Sequence, residues 1–264
     1  MKILTLVENT SGGDVRSVHG LSFYVETAKH KLLFDLGPDK TVFENAKKLG
    51  VDLKAVDTVV ISHGHYDHGG ALRQFLEVNQ TAKVYIQRSA FLPHYSKVLL
   101  AKMDIGLDKS LASHPQLVLL DGDYTIDDEL TLFVSHVPDT FRSEANASLF
   151  SKDGPDDFRH EQNLLIRDTQ DVLFMGCAHS GVLSILESVP GCRPQVCIGG
   201  FHIYNPARRK TVSQAQLQTL SDALGAYKDI RFYTCHCTGK KGYDFLHTRH
   251  ENIGYISCGT QLEL

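Results

Sequence analysis

A short apolar run, Thr58-Val59-Val60-Ile61, is followed at once by Ser62-His63-Gly64-His65-Tyr66-Asp67-His68-Gly69-Gly70. No other stretch constrains the fold as much. Four β-branched residues in succession read as a buried strand. The glycines at 64, 69 and 70 argue against helix and for a tight loop leaving the strand end. Three imidazoles and a carboxylate therefore crowd one loop at the edge of a sheet. In such a loop His63 and His65 point the same way, while Asp67 and His68 reach a neighbouring point. These are the ligand types that zinc, iron and manganese accept. The loop also omits the lysine and glutamate that ordinarily solubilise a surface turn, so His63, His65, Asp67 and His68 are expected to bind metal.

The rest of the chain alternates strands and helices around this loop. Residues 2–7, 21–26 and 31–34 read as strands, with turn chemistry at Asn9-Thr10-Ser11-Gly12-Gly13-Asp14 between the first two. Residues 41–49 have helical spacing and stop at Gly50. Residues 71–78 read as a helix behind Gly69-Gly70, whose free N–H groups would favour anions near the site. Residues 91–113 show helical pieces without a clean period. Further strands are read at 83–87, 117–120, 124–126, 130–135, 163–166, 172–175, 195–198 and 230–233, and a clear helix at 214–227. The alternation recurs in both halves with no linker. The expectation is an α/β chain forming one domain over 1–264, two sheets back to back with helices outside.

Composition narrows the function. The chain has 264 residues, and 42% hydrophobic content supports a sizeable core. No stretch approaches the roughly 20 apolar residues that span a bilayer, and the start does not read as a secretory signal. A cytoplasmic protein without membrane contact is expected. Six cysteines in a chain this long do not make a disulfide framework. A net charge of −4 gives no general attraction to nucleic acid. Two local basic clusters, Arg208-Arg209-Lys210 and Lys240-Lys241, are either solvated surface or a means of holding an anionic substrate. Lys240 is the substrate-binding candidate among them.

Two metal ions need about three protein ligands each, with a water position left open. The loop supplies four, so others come from afar. His179 and His236 are the best candidates, since each follows an apolar strand and lies among small residues. His202, in Gly199-Gly200-Phe201-His202, shares the strand-end position; ligand, proton donor and substrate contact all remain open, and we place it with the catalytic candidates. His19 is either a substrate contact or a turn residue. His94 and His114 read as surface residues.

The spacing His-x-His-x-Asp-His resembles the signature of the metallo-β-lactamase superfamily. Val18-His19-Gly20-Leu21-Ser22, Leu33-Phe34-Asp35-Leu36-Gly37-Pro38, Gly176-Cys177-Ala178-His179-Ser180-Gly181-Val182, Gly199-Gly200-Phe201-His202 and Cys235-His236-Cys237-Thr238-Gly239 follow in the order of one branch. That branch is labelled dihydropteroate-synthase-like, or 7,8-dihydropterin-6-yl-methyl-4-(β-D-ribofuranosyl)aminobenzene 5′-phosphate synthase. The resemblance runs from the first residues to Gly259-Thr260. It implies a four-layer αβ/βα sandwich with two mixed sheets and outer helices. It further implies that Asp35 orients a ligand without binding metal, and that the 91–113 region covers substrate as a lid. Many members carry Gly-Asp where this chain has Gly176-Cys177, the aspartate bridging both ions. Either His179 or Cys177 replaces it; we favour His179, with Cys177 behind the ligands. The histidine that members carry ahead of strand 163–166 corresponds roughly to His160, with His136 further upstream as a second candidate.

The implied cofactor is a pair of divalent ions, zinc first, with iron or manganese as alternatives. A hydroxide held between them would attack a phosphoester or another anionic ester, and Asp67 would ligate one ion and help orient that nucleophile. A second expectation, from the branch label, is a metal-dependent transferase condensing a pterin diphosphate with an aminobenzene ribose phosphate. A third is a diiron redox protein, which needs an electron source this chain lacks. The partner is a small anionic substrate, and homo-oligomerisation is left open.

Overall fold

Leu32, Leu33 and Phe34 show how the layers arise. Successive side chains on a strand face opposite ways. Leu33 packs with helix residues Val42, Ala46, Leu72 and Phe75, while Leu32 and Phe34 pack against the opposite sheet through Leu164, Ile166 and Phe174. On the other side of the molecule, Leu165 and Leu173 join Leu183, Leu217, Leu220 and Leu246 from the outer helices. Both faces of these inner strands are covered, which is why they read as unbroken apolar runs and not as alternating ones.

The protein, a computed structural model describing residues 1–98, 101–137 and 141–264, has two seven-stranded sheets. The first runs Gln261–Glu263, Lys2–Val7, Ser22–Glu26, Lys31–Phe34, Thr58–Val60, Lys83–Gln87, Leu117–Leu120. The second runs Ile253–Tyr255, Arg231–Thr234, Val196–Gly199, Asp171–Phe174, Asn163–Arg167, Leu130–Phe133, Tyr124–Thr125. Each sheet is mixed: three of its pairings are parallel and three antiparallel. Helices Thr41–Lys48 and Leu72–Val78 cover the first sheet; Val182–Glu187, Gln214–Leu224 and Lys240–His247 cover the second. This is the four-layer α/β sandwich expected from the sequence.

Three local readings need correction. Residues Tyr66–Gly69 form one turn of α-helix, not an open loop, closed by Gly70 N–H donating to Tyr66 O at 2.7 Å. The N–H of Ala71 goes to Gly37 O at 3.2 Å, so the start of the next helix is not a free anion cradle there. Residues 91–113 hold a strand pair, Tyr95–Val98 with Ala101–Asp104, where only helical pieces were read; the helical part is a 3₁₀ helix at Lys109–Ser113. Of the region expected to act as a lid, residues 99–100 lie outside the described residues.

Candidate metal centre

The loop after Thr58–Val60 is tied down by Asp35, which is fully buried and held at φ 62° at the end of the neighbouring strand. Its Oδ1 accepts the Ser62 N–H at 2.7 Å. Its Oδ2 accepts the Ser62 hydroxyl at 2.8 Å and the His68 Nδ1–H at 2.6 Å. Because the Ser62 hydroxyl is spent on Asp35, its oxygen takes the Nδ1–H of His63 at 2.8 Å. The network thus assigns both protons to Nδ1 and leaves each Nε2 as a bare lone pair, as ligating histidines are generally arranged. Asp35 lies where the resemblance implies, touching a candidate ligand from behind.

His179 and His236 are gripped in the same way as each other, by residues that sequence reading passed over. Asn146 Oδ1 takes the His179 Nδ1–H at 3.0 Å, and its Nδ2 donates to the carbonyl of His179 at 2.9 Å. Asn9 Oδ1 takes the His236 Nδ1–H at 2.9 Å, and its Nδ2 donates to the carbonyl of His236 at 3.2 Å. A buried glutamate then accepts each backbone N–H: Glu161 for His179 at 2.7 Å, Glu8 for His236 at 2.6 Å. Each asparagine fixes tautomer and ring plane at once. Asn9 had read only as turn chemistry, and Glu161 had not been singled out; neither carries a local signal of its partner.

These grips collect the ring nitrogens into two sets. The Nε2 atoms of His63, His65 and His179 are buried and have no hydrogen-bond partner among the described residues, and one ring nitrogen from each of the three lies within 4.8 Å of the others. In the second set, His68 Nε2 and His236 Nε2 are 3.3 Å apart, and Asp67 Oδ2 is 3.9 Å from the first and 3.4 Å from the second. With both Nδ1 protons committed elsewhere, two lone pairs face each other at that distance. A proton or a cation between them relieves the repulsion. Three unpartnered imidazole nitrogens and a His₂Asp set fit a pair of divalent ions chemically.

Cys177 and His179 both face this centre. The sequence reading had the loop choose one of them; Ala178, at φ 55°, turns the chain so that residues on either side point inward. Cys177 Sγ lies 3.3 Å from His68 Nε2, and also groups with His179 and His202 and with His236 and Cys237. Gly176 lets this segment close on the first loop: a Cβ there would come within 2.2 Å of Ser62 Oγ. Burial pushes the Cys177 thiol well above its ordinary range.

A cavity of about 420 Å³ opens onto both sets and is lined by His19, His65, Asp67, Cys177, His179, His202 and His236, among others. His19 Nε2 lies 3.2 Å from Asp67 Oδ2, at the rim. His202 is buried with both ring nitrogens unpartnered, its ring 4.1 Å from that of His179. The remaining candidates lie elsewhere. Lys240 is exposed, pairs with Asp244 at 2.8 Å and lines a neighbouring cleft, not this cavity. His136 is exposed and pairs with Asp123 at 2.8 Å, away from the centre. His160 is buried but occupied: Nδ1 accepts the Gly64 N–H at 3.0 Å and Nε2 meets Asp156 at 3.3 Å. His94, read as a surface residue, is 2% exposed and also meets Asp156, at 3.0 Å. Apolar Leu92 and Pro93 gave no hint that the next side chain turns inward. The pair backs His65, whose ring lies 5.4 Å from that of His160.

Burial opposes charge on Asp67, but the imidazoles of His68, His19 and His236 outweigh it and hold the carboxyl well below the usual range. Burial, reinforced by neighbouring imidazoles, lowers His63, His65 and His179 well below 6.5, and burial lowers His160 as well. For such groups the unfolded chain binds more protons than the folded one below about pH 6.5, so stability falls with falling pH. His68 and His30 are raised by their carboxylate partners and work the other way, but they are outnumbered. The chelator-stripped chain is therefore expected to lose melting temperature steadily from pH 7 to pH 5. Scanning calorimetry across that range checks this; a flat or rising melting temperature contradicts it.

Comparison with known proteins bears on the family and the fold. The family model described as the metallo-beta-lactamase superfamily matches residues 16–193. An uncharacterised protein of Methanocaldococcus jannaschii is 27% identical, covering 90% of this chain and 91% of the relative. The 7,8-dihydropterin-6-methyl-4-(beta-D-ribofuranosyl)-aminobenzene-5'-phosphate synthase of the same organism is 25% identical, covering 98% of this chain and 95% of the synthase. The crystal structure of a metal-dependent hydrolase of the beta-lactamase superfamily superposes with a TM-score of 0.80 at 26% identity, covering 100% of this chain and 99% of the other.

Proposed function

The chain belongs to the metallo-β-lactamase superfamily, and from that membership we propose that it is a metal-dependent hydrolase acting on a phosphoester or another anionic ester. The observation that carries the reading is the set of three buried, unpartnered Nε2 atoms of His63, His65 and His179 beside the His68–His236–Asp67 set. Six ligands in two sets of three suit two ions, zinc first, with iron or manganese as alternatives. Bound there, divalent ions supply Lewis acidity and bring the pKa of a water into the neutral range, to about 7. The chain's own residues do the rest. Asp35, Asn9 and Asn146 keep each imidazole in the tautomer that offers Nε2. The ionised Asp67 supplies negative charge to the His₂Asp set, and His19 at its carboxylate limits how the rim is reached. His202 holds an unpartnered ring nitrogen toward the cavity, placed to give a proton to a leaving oxygen.

The relative named as a synthase favours a second reading, a transferase that condenses a diphosphate ester with an amine-bearing aromatic acceptor. One experiment separates the two. Protein purified without chelator is assayed for metal by elemental analysis, then for ester and phosphodiester cleavage and for diphosphate release with and without the acceptor. The hydrolase reading expects close to two ions per chain and turnover without any acceptor. No more than trace metal, with no gain on adding zinc, manganese or iron, overturns it. Diphosphate release only with the acceptor moves the assignment to transfer.

A further inference from the structure

The metal cavity has a neighbour. A cleft of about 680 Å³ lies on the far side of the strand pair Tyr204–Asn205 and Lys210–Thr211. The two hollows share His236. One side of this hairpin, Asn205, Pro206 and Ala207, lines the metal cavity; the other, Tyr204, Arg209, Lys210 and Thr211, lines the cleft. The partition is fixed in place. Asn205 Nδ2 donates to Ala145 O at 2.9 Å and Ser148 Oγ at 2.7 Å, and its Oδ1 takes the Arg208 N–H at 2.9 Å.

The charge of the cleft is one-sided. Arg209, Lys210, Lys240 and Lys241 line it and no carboxylate does, in a chain whose net charge is −4. Lys240 is paired with Asp244, but Arg209, Lys210 and Lys241 have no ion pair among the described residues. Arg209 and Lys241, with Lys210 drawn only toward Glu144 outside the lining, concentrate positive potential around one concavity that an otherwise acidic chain does not need for solubility. Arg209 is held at φ 49°, a conformation uncommon for a side-chain-bearing residue. The helix Lys240–His247 begins at the same wall with no side-chain cap on its first N–H groups. Tyr204, Tyr243 and Tyr255 add aromatic surface.

We propose that this cleft is a second subsite, which binds a phosphate group on the substrate distinct from the group that reacts in the metal cavity. The substrate is then bipartite, with the reacting end among the His₂Asp and His₃ sets and a phosphate held by Arg209, Lys210 and Lys241 past His236. The inference rests on the hydrolase reading for what happens at the reacting end, but the binding itself does not require metal or turnover.

The test separates the two claims. Chelator-stripped protein is titrated calorimetrically with inorganic pyrophosphate at low and high salt, as wild type, as Arg209→Ala/Lys241→Ala, and as a control of equal charge change, Lys31→Ala/Lys47→Ala. Stripping removes any anion site on the metals. Saturable, salt-sensitive binding is expected in wild type and control, weakened at least about tenfold in the cleft variant. Equal affinity in all three proteins, or no binding in wild type, overturns the subsite whatever the metal does. A second arm uses metal-loaded protein and paired esters with and without a remote phosphate monoester. The cleft variant is expected to raise KM for the phosphorylated ester alone, with kcat and metal content unchanged. A KM change shared by both esters assigns the cleft a general structural role and also overturns the proposal. Failure of both esters to turn over, with pyrophosphate binding intact, removes the hydrolase reading and leaves the subsite standing.

Discussion

Replacing His179 with alanine is expected to strip one metal ion per chain and to lower turnover by more than about a hundredfold. Losing even an outer partner of a ligand commonly costs about 10–100-fold, so loss of the ligand itself should exceed that. Cys177→Ser is expected to keep both ions, because each set already holds three ligands without sulfur. The comparison is informative because Ala178 aims both residues inward and proximity alone does not rank them. Elemental analysis and turnover on the two variants side by side check it. Metal lost in Cys177→Ser and kept in His179→Ala would reverse the assignment and make the thiolate the ligand.

Asp35→Ala carries the second large effect, and it is one of stability as well as metal. The carboxylate has no exposure and satisfies the Ser62 N–H, the Ser62 hydroxyl and the His68 Nδ1–H. Breaking a buried pair by removing one partner typically costs about 3–5 kcal/mol. The substitution also leaves alanine at φ 62°, a conformation that aspartate and asparagine tolerate better than other side chains. Asp35→Asn tolerates that backbone better and keeps one acceptor, so it should lose less stability while still weakening metal binding. Denaturant midpoints and metal titrations of the two variants measure the split. An Asp35→Ala midpoint within experimental error of wild type would show that the aspartate is not holding the loop.

The layers and half of the centre were legible because their signals are local. A β-branched strand running into His63, His65, Asp67 and His68 is contiguous in sequence, and apolar runs such as Val172-Leu173-Phe174-Met175 announce strands covered on both faces. What stayed hidden depends on chain-distant pairing. Asn146 and Asn9 are ordinary polar residues until the fold sets them against His179 and His236. His94 follows Leu92 and Pro93, and nothing nearby reveals that Asp156 will hold it inside. Cys177 and His179 were posed as alternatives because the loop after Gly176 was expected to turn only one of them inward. Both reach the centre, with the left-handed Ala178 between them, and such a local turn has no signature in the residue types. Lys240 was singled out from its cluster, whereas the pairing with Asp244 leaves Lys241 and Arg209 as the less compensated cations.

The grip on His236 also sets an order of assembly. Its backbone N–H is held by Glu8, a contact spanning 228 positions, and its ring by Asn9. The strand before Glu8 is itself bracketed by Gln261–Glu263 from the opposite end of the sequence. The His63–His65–His179 trio and its grips lie within the first 179 positions, although the strand before His179 also pairs with Val196–Gly199. The His₂Asp trio is complete only once both ends of the sheet have met, and loop closure over such distances is the slow part of folding. On the two-ion reading, the site of the second ion would exist only once the polypeptide has closed on itself.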